Sequence, residues 1–223
     1  MPTIAIVGAG PGLGLSIAKQ FGRNGFQVAL ISRTLSKLDD LAAQRGQLGI
    51  DATGFAADVM DPASLIDAFA RITARYGAVD VLEYSPAPHT PVPGVELADA
   101  LAVTLENVQP QIDYYLYGAI TAVRQVLPAM LARGTGTLLF TTGASSVEPN
   151  PKLSNVGIAT AGLRNWVLAL HPALAELGIY VAHVPLAVWI GRGGPETQPD
   201  AIAPVYWTLY TQRDTAERLY RAG

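Results

Sequence analysis

The sequence predicts an α/β fold, a doubly wound parallel sheet with helices on both faces, and three observations carry that prediction. The first is the turn at the start of the chain. Thr3 to Val7 reads as a buried strand and runs into Gly8, Gly10, Gly12 and Gly14, after which Leu15 to Phe21 reads as a helix. The second is order: apolar runs of strand length alternate with longer helix-like stretches along the chain, which implies βαβ units and a ligand crevice at the carboxyl ends of the strands. The third is composition. With 223 residues, half of them hydrophobic, the chain can bury a sizeable core as one unit, and a single domain over 1–223 is expected.

Taken in order, the first strand and its glycine turn form a phosphate cradle. Glycines at this spacing let the backbone turn tightly and approach a pyrophosphate, whose charge meets free amides at the positive end of the following helix. A second strand is expected over Gln27 to Ile31 and a third over Gly54 to Ala57. Asp61 then caps a helix that has Pro62 at its first position. Val79 to Leu82 is the fourth strand. A stiff loop from Ala87 to Gly94 follows, with Pro88, Pro91 and Pro93, and Pro110 is read as opening a long helix through Tyr114 to Arg133. Thr137 to Thr141 and Ile179 to Val184 are the fifth and sixth strands, separated by a helix that begins near Asn155. Gly191 to Pro199 reads as a flexible loop, and the chain is expected to end in a helical stretch around Ala201 to Tyr220.

Charge and composition exclude several classes. A net charge of -3 offers no basic face for nucleic acid. No uninterrupted apolar run reaches the roughly 18 residues of a membrane span, and the chain enters its first strand without a cationic leader, so the expected compartment is the cytoplasm. The absence of cysteine removes disulfides, thiolate ligands and a cysteine nucleophile, and the three histidines, His89, His171 and His183, are too scattered for a metal set.

Over nearly its whole length the chain resembles the short-chain dehydrogenase/reductase family, which has a Rossmann-like fold. Gly8, Gly12 and Gly14 match that family's T-G-x-x-x-G-x-G, with Val7 in place of Thr; Asp58 and Val59 match the pair that holds adenine; Leu127, Pro128 and Met130 match the end of its fourth helix. The resemblance implies a nicotinamide dinucleotide. The second strand ends in Ser32, Arg33 and Thr34, with no carboxylate for a ribose 2'-hydroxyl and a guanidinium suited to a 2'-phosphate, so NADP is favoured over NAD. The expected cofactor contacts are Gly8, Gly10, Gly12, Leu13, Gly14, Ser32, Arg33, Thr34, Asp58, Val59, Ser85 and Thr142.

The catalytic pattern departs from the family. Its Tyr-x-x-x-Lys falls on Val156 and Thr160, its Ser on Gly143 or a neighbour, its helix-four Asn on Tyr115, and its Asn-Asn-Ala-Gly on Tyr84, Ser85, Pro86 and Ala87. Either the site has decayed or other groups have taken over. Tyr115 and Tyr84 are the candidate proton donors, with Ser145 as a hydroxyl beside them; a phenol with a pKa of about 10 needs a cation or a hydrogen-bond chain to serve. Lys152, in the loop before the helix that begins near Asn155, is the candidate cation if that loop swings inward. Tyr114, Tyr115 and Tyr117 cannot all face one cleft, so at least one packs or lies in an interface.

His183, inside an apolar strand, reads first as a core residue, and His89 is better placed for substrate. Glu83 interrupts a central strand and must pair, protonate or face a cavity; Arg124 and Arg164 are possible partners. The segment 188–223 is expected to be a shortened substrate side and a terminal helix, with no last strand. Trp189, Tyr206, Trp207 and Tyr210 either wall a pocket or dock that helix. The helix carrying Val156, Ile158, Leu163, Trp166, Val167 and Leu170 is apolar around most of its girth, which suggests a homodimer or homotetramer through the fourth and fifth helices. Three functions stay open: a reductase or dehydrogenase of a small carbonyl or alcohol, a redox-silent nucleotide-binding protein, and a lyase or isomerase on the same fold.

Overall fold

The computed structural model describes residues 1–34, 50–87, 92 and 94–222. Strands β1 (Thr3–Val7), β2 (Gln27–Ser32), β3 (Ala52–Ala56), β4 (Val81–Tyr84), β5 (Gly136–Gly143), β6 (Ile179–Ala187) and β7 (Tyr220–Arg221) form one sheet in the order β3-β2-β1-β4-β5-β6-β7, with every pair parallel. The chain runs outward from β1 to β2 and β3, then crosses back to β4. That reversal between β1 and β4 opens a crevice at the carboxyl ends of both strands.

The strands are buried on both faces, which is why they read as continuous apolar runs rather than alternating ones. One face (Ala5, Val7, Leu82, Leu138, Phe140) packs against α2 (Pro62–Tyr76), α4 (Gly118–Arg133) and α5 (Ser154–Ala175). The other (Ile4, Ile6, Val81, Leu139, Val184) packs against α1 (Leu13–Arg23) and α7 (Pro204–Gln212). Asp61 caps α2 as its sequence predicts, accepting from the amides of Ala63 and Ser64.

Two elements differ from the sequence reading. Pro110 does not open the fourth helix. α3 (Leu105–Ile112) begins at Thr104, where a reciprocal capping box with Asn107 sets its start, and Pro110 lies inside it. The helix then widens into a π-turn over Asp113–Tyr117, where the Gly118 amide reaches back five residues to the Asp113 carbonyl, before continuing as α4.

The second correction is at the C-terminus. After the short α6 (Pro199–Ile202) and α7, the chain is not helical to Tyr220 but runs beside β6: the His183 amide donates to Ala216 O and the Arg218 amide to His183 O, both at 2.9 Å, leading into β7. The open edge of β6 needs partners for its backbone, and the tail supplies them. Phe21, Phe26, Trp207 and Tyr210 meet edge to face and dock α7 on α1, while Trp189 is exposed.

Among the described residues no helix is long and apolar enough to cross a membrane, and no group of His, Asp and Glu could hold a metal ion.

Candidate active site

The glycine turn lies at the crevice. Gly8 has φ +92°, and a Cβ there would stand 2.5 Å from Pro86 Cα and 2.8 Å from the Ser85 carbonyl carbon. Only glycine permits this approach, because the obstacle is backbone. The amides of Gly8 and Ala9 both donate to Ile31 O, and the Ser85 amide donates to Val7 O, so the loop is tied to β2 on one side and to the end of β4 on the other. Gly14 is close-packed too, its absent Cβ 3.1 Å from Ala9 Cα. No side chain caps the amino end of α1 and its first turn holds no acidic residue. The free amides and the positive helix end are left for an anion, so the cradle fits a dinucleotide pyrophosphate.

The residues expected to hold the adenosine end lie near Tyr114. Ser32 closes β2, and Arg33 and Thr34 follow it, both exposed. The Asp58 carboxylate accepts from the Met60 amide at 3.0 Å, and the Val59 carbonyl lies where a Cβ on Gly118 would approach to 2.9 Å. Burial pushes the Tyr114 phenol up to about 12, with Arg33 opposing and Asp58 adding to the shift. The Tyr114 phenol thus feels the charges of both Arg33 and Asp58.

The two tyrosines proposed for catalysis separate. Tyr84 is fully buried, and its hydroxyl donates to Tyr114 O at 2.7 Å, the carbonyl side of the π-turn. A Cβ on Gly118 would overlap that hydroxyl. Tyr84 therefore holds the π-turn and is withdrawn as a proton donor. We expect Tyr84→Phe to lower stability by about 1–3 kcal/mol, because it orphans a buried carbonyl, and to leave turnover of the folded protein intact; a fall in kcat without a change in unfolding temperature would return Tyr84 to the chemistry.

Tyr115 is half-buried, its ring centroid 4.9 Å from that of Tyr114 in an edge-on pair. Burial and that neighbour hold its phenol above the ordinary tyrosine range, and no cation acts to lower it. Tyr115 stays protonated and can donate a hydrogen bond, but it is a weaker acid than a free tyrosine.

The positions of the family's Tyr and Lys are closed. Val156 and Thr160 are buried, and the Thr160 hydroxyl donates to Val156 O at 2.8 Å. Lys152 sits exposed in a short turn (Pro151–Leu153) away from them in sequence register. Ser145, half-buried in the turn Ala144–Ser146, has no hydrogen-bond partner for its hydroxyl among the described residues, and its carbonyl faces Gly157 on α5. His89 and most of the proline-rich loop lie outside the described residues.

Glu83 does not pair with Arg124 or Arg164. Its carboxyl is fully buried and accepts from Ser85 Oγ at 2.8 Å and Thr141 Oγ1 at 2.9 Å, and Thr141 meets the Tyr206 hydroxyl at 2.7 Å. Burial outweighs these hydrogen bonds and raises its pKa to about 8. The group is mostly protonated at neutral pH, in keeping with a carboxyl held by hydroxyls and no cation.

On the opposite face of the sheet a second polar chain joins α5, the C-terminal tail, β6, β5 and the turn Ala144–Ser146. Arg164 on α5 donates from both Nε (2.5 Å) and Nη2 (2.8 Å) to the Glu217 carboxylate, and Glu217 Oε2 lies 2.9 Å from His183 Nδ1. His183 Nε2 lies 2.8 Å from Thr142 Oγ1, which meets Ser146 Oγ, also at 2.8 Å. Sequence reasoning placed Thr142 and His183 separately and missed Glu217. A lone acid inside a predicted terminal helix carries no signal until the tail is seen to run along β6.

A model of the short chain dehydrogenase family matches residues 2–189, and the chain belongs to that family. Among curated proteins it is 27% identical over 189 residues to a very-long-chain 3-oxoacyl-CoA reductase of Anas platyrhynchos, covering 80% of this chain and 57% of that protein. It is 28% identical over 178 residues to a putative ketoacyl reductase of Streptomyces coelicolor, covering 79% and 66%. The chain thus spans about three fifths of the length of these relatives. Among solved structures, L-sorbose reductase of Gluconobacter frateurii, complexed with NADPH and L-sorbose, superposes with a TM-score of 0.85 at 19% identity, over 100% of this chain and 95% of that one. The likeness at that identity is one of fold.

Proposed function

We propose that the protein is an NADP-dependent oxidoreductase acting on a small carbonyl or alcohol through a non-standard active site. The observation that carries this reading is the cradle: Gly8 in a conformation and a contact that only glycine accepts, facing an uncapped helix end at the sheet's reversal point. Family membership and reductase relatives support it. The nicotinamide, when bound, supplies or accepts a hydride; the chain's part is to hold it, to orient the substrate oxygen and to manage one proton. Tyr115 and Ser145 are the hydroxyls for the substrate oxygen. Arg33, with Ser32 and Thr34, receives the 2'-phosphate.

Calorimetric titration tests the cofactor half of this reading. Wild type is expected to bind NADPH more tightly than NADH, and Arg33→Ala to weaken NADPH by about 10–100-fold with NADH unchanged, the worth of one charge-assisted phosphate contact. Equal loss for both cofactors, or none, refutes the 2'-phosphate role.

A second reading has its own observation. With Val156 and Thr160 where the family has Tyr and Lys, the fold can bind the dinucleotide and remain redox-silent; NADPH binding without turnover of any carbonyl would favour it. A cytoplasmic homodimer or homotetramer fits both readings. Tyr117 and Ile158 are about half exposed, and Leu105 at the start of α3 and Leu101 just before it stand almost wholly in solvent, which makes the α3–α4 helix and α5 the candidate interface.

A further inference from the structure

We propose that Thr142, with Ser146 beside it, is the proton port of the active site, and that His183, Glu217 and Arg164 form the relay behind it. The inference rests on the oxidoreductase reading above and supplies what that reading lacks, a group that can move a proton where the Tyr and Lys of the family are missing.

Thr142 is the penultimate residue of β5, at the carboxyl edge of the sheet. It lies two residues beyond Phe140, which is in register with Tyr84 on the strand whose end abuts Gly8. The port is therefore one strand away from the dinucleotide cradle.

The order of groups is hydroxyl, imidazole, carboxylate. Glu217 Oε2 accepts from Nδ1–H of His183, which leaves Nε2 with its lone pair toward Thr142; the Thr142 hydroxyl donates to it. Ser146 Oγ, 2.8 Å away, donates its proton to Thr142 Oγ1, with Gly143 O as a second acceptor at 2.9 Å. One lone pair of Thr142 Oγ1 then remains for a substrate hydroxyl. Arg164, bidentate on Glu217, keeps the carboxylate ionised: hydrogen bonds from Arg164 and His183 hold Glu217 below the usual carboxylate range against its partial burial. A tail tether alone has no need of a wholly buried imidazole between a carboxylate and a hydroxyl. A hydroxyl on an imidazole that is itself oriented by a carboxylate is one of the arrangements that activate a weakly acidic hydroxyl.

In the direction of oxidation, Thr142 Oγ1 takes the hydroxyl proton of an alcohol while its own proton passes to His183 Nε2. The carbon–hydrogen bond breaks with its electron pair going to an oxidised nicotinamide, and a carbonyl forms. Glu217 stabilises the imidazolium until its proton leaves through the solvent-facing carboxylate. Reduction runs the same transfers in reverse. Thr142 is the catalytic residue here; His183, Glu217 and Arg164 act through it.

The pH behaviour follows. Burial pushes the His183 imidazole below its ordinary value, Glu217 pulls it back up and Arg164 pushes it down; these two are the charged groups acting on it, with Thr142 and Ser146 adding only neutral hydroxyls. His183 is therefore neutral and ready to accept at neutral pH. The rate of oxidation should rise through a pKa below 6.5 and stay flat above it, and reduction should fall as pH rises through the same point.

The test uses wild type, Thr142→Val, His183→Gln and Glu217→Gln, the last being mild enough to fold should His183→Gln not. Each is checked by thermal unfolding and NADPH titration, then by turnover of a carbonyl panel. In parallel the ring nitrogens of His183 are followed by 15N NMR as 2-propanol is added in the presence of NADP+. Expected are unchanged NADPH affinity in His183→Gln, a loss of kcat of about 100-fold or more in Thr142→Val and His183→Gln, a pH inflection displaced to lower pH in Glu217→Gln, and a shift of the Nε2 signal on adding 2-propanol. Turnover that survives Thr142→Val and His183→Gln, or an Nε2 signal that ignores the alcohol, overturns the relay and leaves the functional reading standing. Wild type that binds no NADPH overturns both.

Discussion

Gly8→Ala is expected to weaken NADPH binding by at least 100-fold and to destabilise the protein by about 2–4 kcal/mol, the range of a strained backbone combined with an overpacked contact. Both parts have one cause. At φ +92° an L side chain is strained, and its Cβ would enter within 2.5 Å of Pro86 Cα, backbone that is itself pinned by the Ser85 amide bond to Val7. The loop must move away from β4, and with it the amides that cradle the pyrophosphate. Gly14→Ala provides the control. Its new Cβ meets Ala9 Cα at 3.1 Å with an ordinary φ, so a few tenths of an ångström of adjustment should suffice and the loss of affinity should be about tenfold smaller. Titration of both variants with NADPH, alongside thermal unfolding, checks the ordering. A Gly8→Ala protein that binds as wild type does would place the cofactor elsewhere.

Glu83→Gln is expected to stabilise the protein, and by more as pH rises. The carboxyl titrates near pH 8 in the folded chain against about 4.5 unfolded, so between those values the folded state holds a proton that the unfolded state releases. Stability contributed by that proton is complete below about pH 4.5 and is lost progressively until about pH 8, after which the curve is flat. The shift corresponds to a loss on the order of 3–5 kcal/mol across this window. Glutamine keeps the size and an acceptor for Thr141 or Ser85 and has no proton to lose. Variant and wild type should therefore unfold at similar temperatures near pH 4.5 and diverge up to pH 8, with the variant higher. A difference that is constant with pH would mean that Glu83 is ionised throughout.

The scaffold was legible because its signals are local. Apolar runs gave the strands, Asp61 and Pro62 gave the start of α2, and the glycine spacing gave the cradle, each within a few residues of chain. What stayed hidden depends on pairs distant in sequence. Tyr84 reads as a cleft phenol until its hydroxyl is seen against the carbonyl of Tyr114 and the missing side chain of Gly118. Glu83 reads as a carboxyl that must pair, protonate or face a cavity, and the choice stays open because nothing in the chain says that Thr141 and Ser85 flank it. The capping box at Thr104 went unread because Pro110, a residue favoured in the first turn of helices, drew the boundary, and here it lies within one. Glu217 is the clearest case: two residues of β7 have no periodicity to detect, so the strand and the acid it brings to His183 become visible only when the edge of β6 is seen to be filled.

Hydride transfer is the central claim, and the most direct measurement is the loss of reduced-nicotinamide absorbance when the wild-type protein, saturated with NADPH, is offered a panel of small ketones, aldehydes and 3-oxoacyl thioesters. Consumption of NADPH that requires both protein and a carbonyl, and is matched by formation of the alcohol, is the predicted result. Tight NADPH binding with no carbonyl reduced would contradict it and identify the chain as a family member that keeps the cofactor and has lost the reaction.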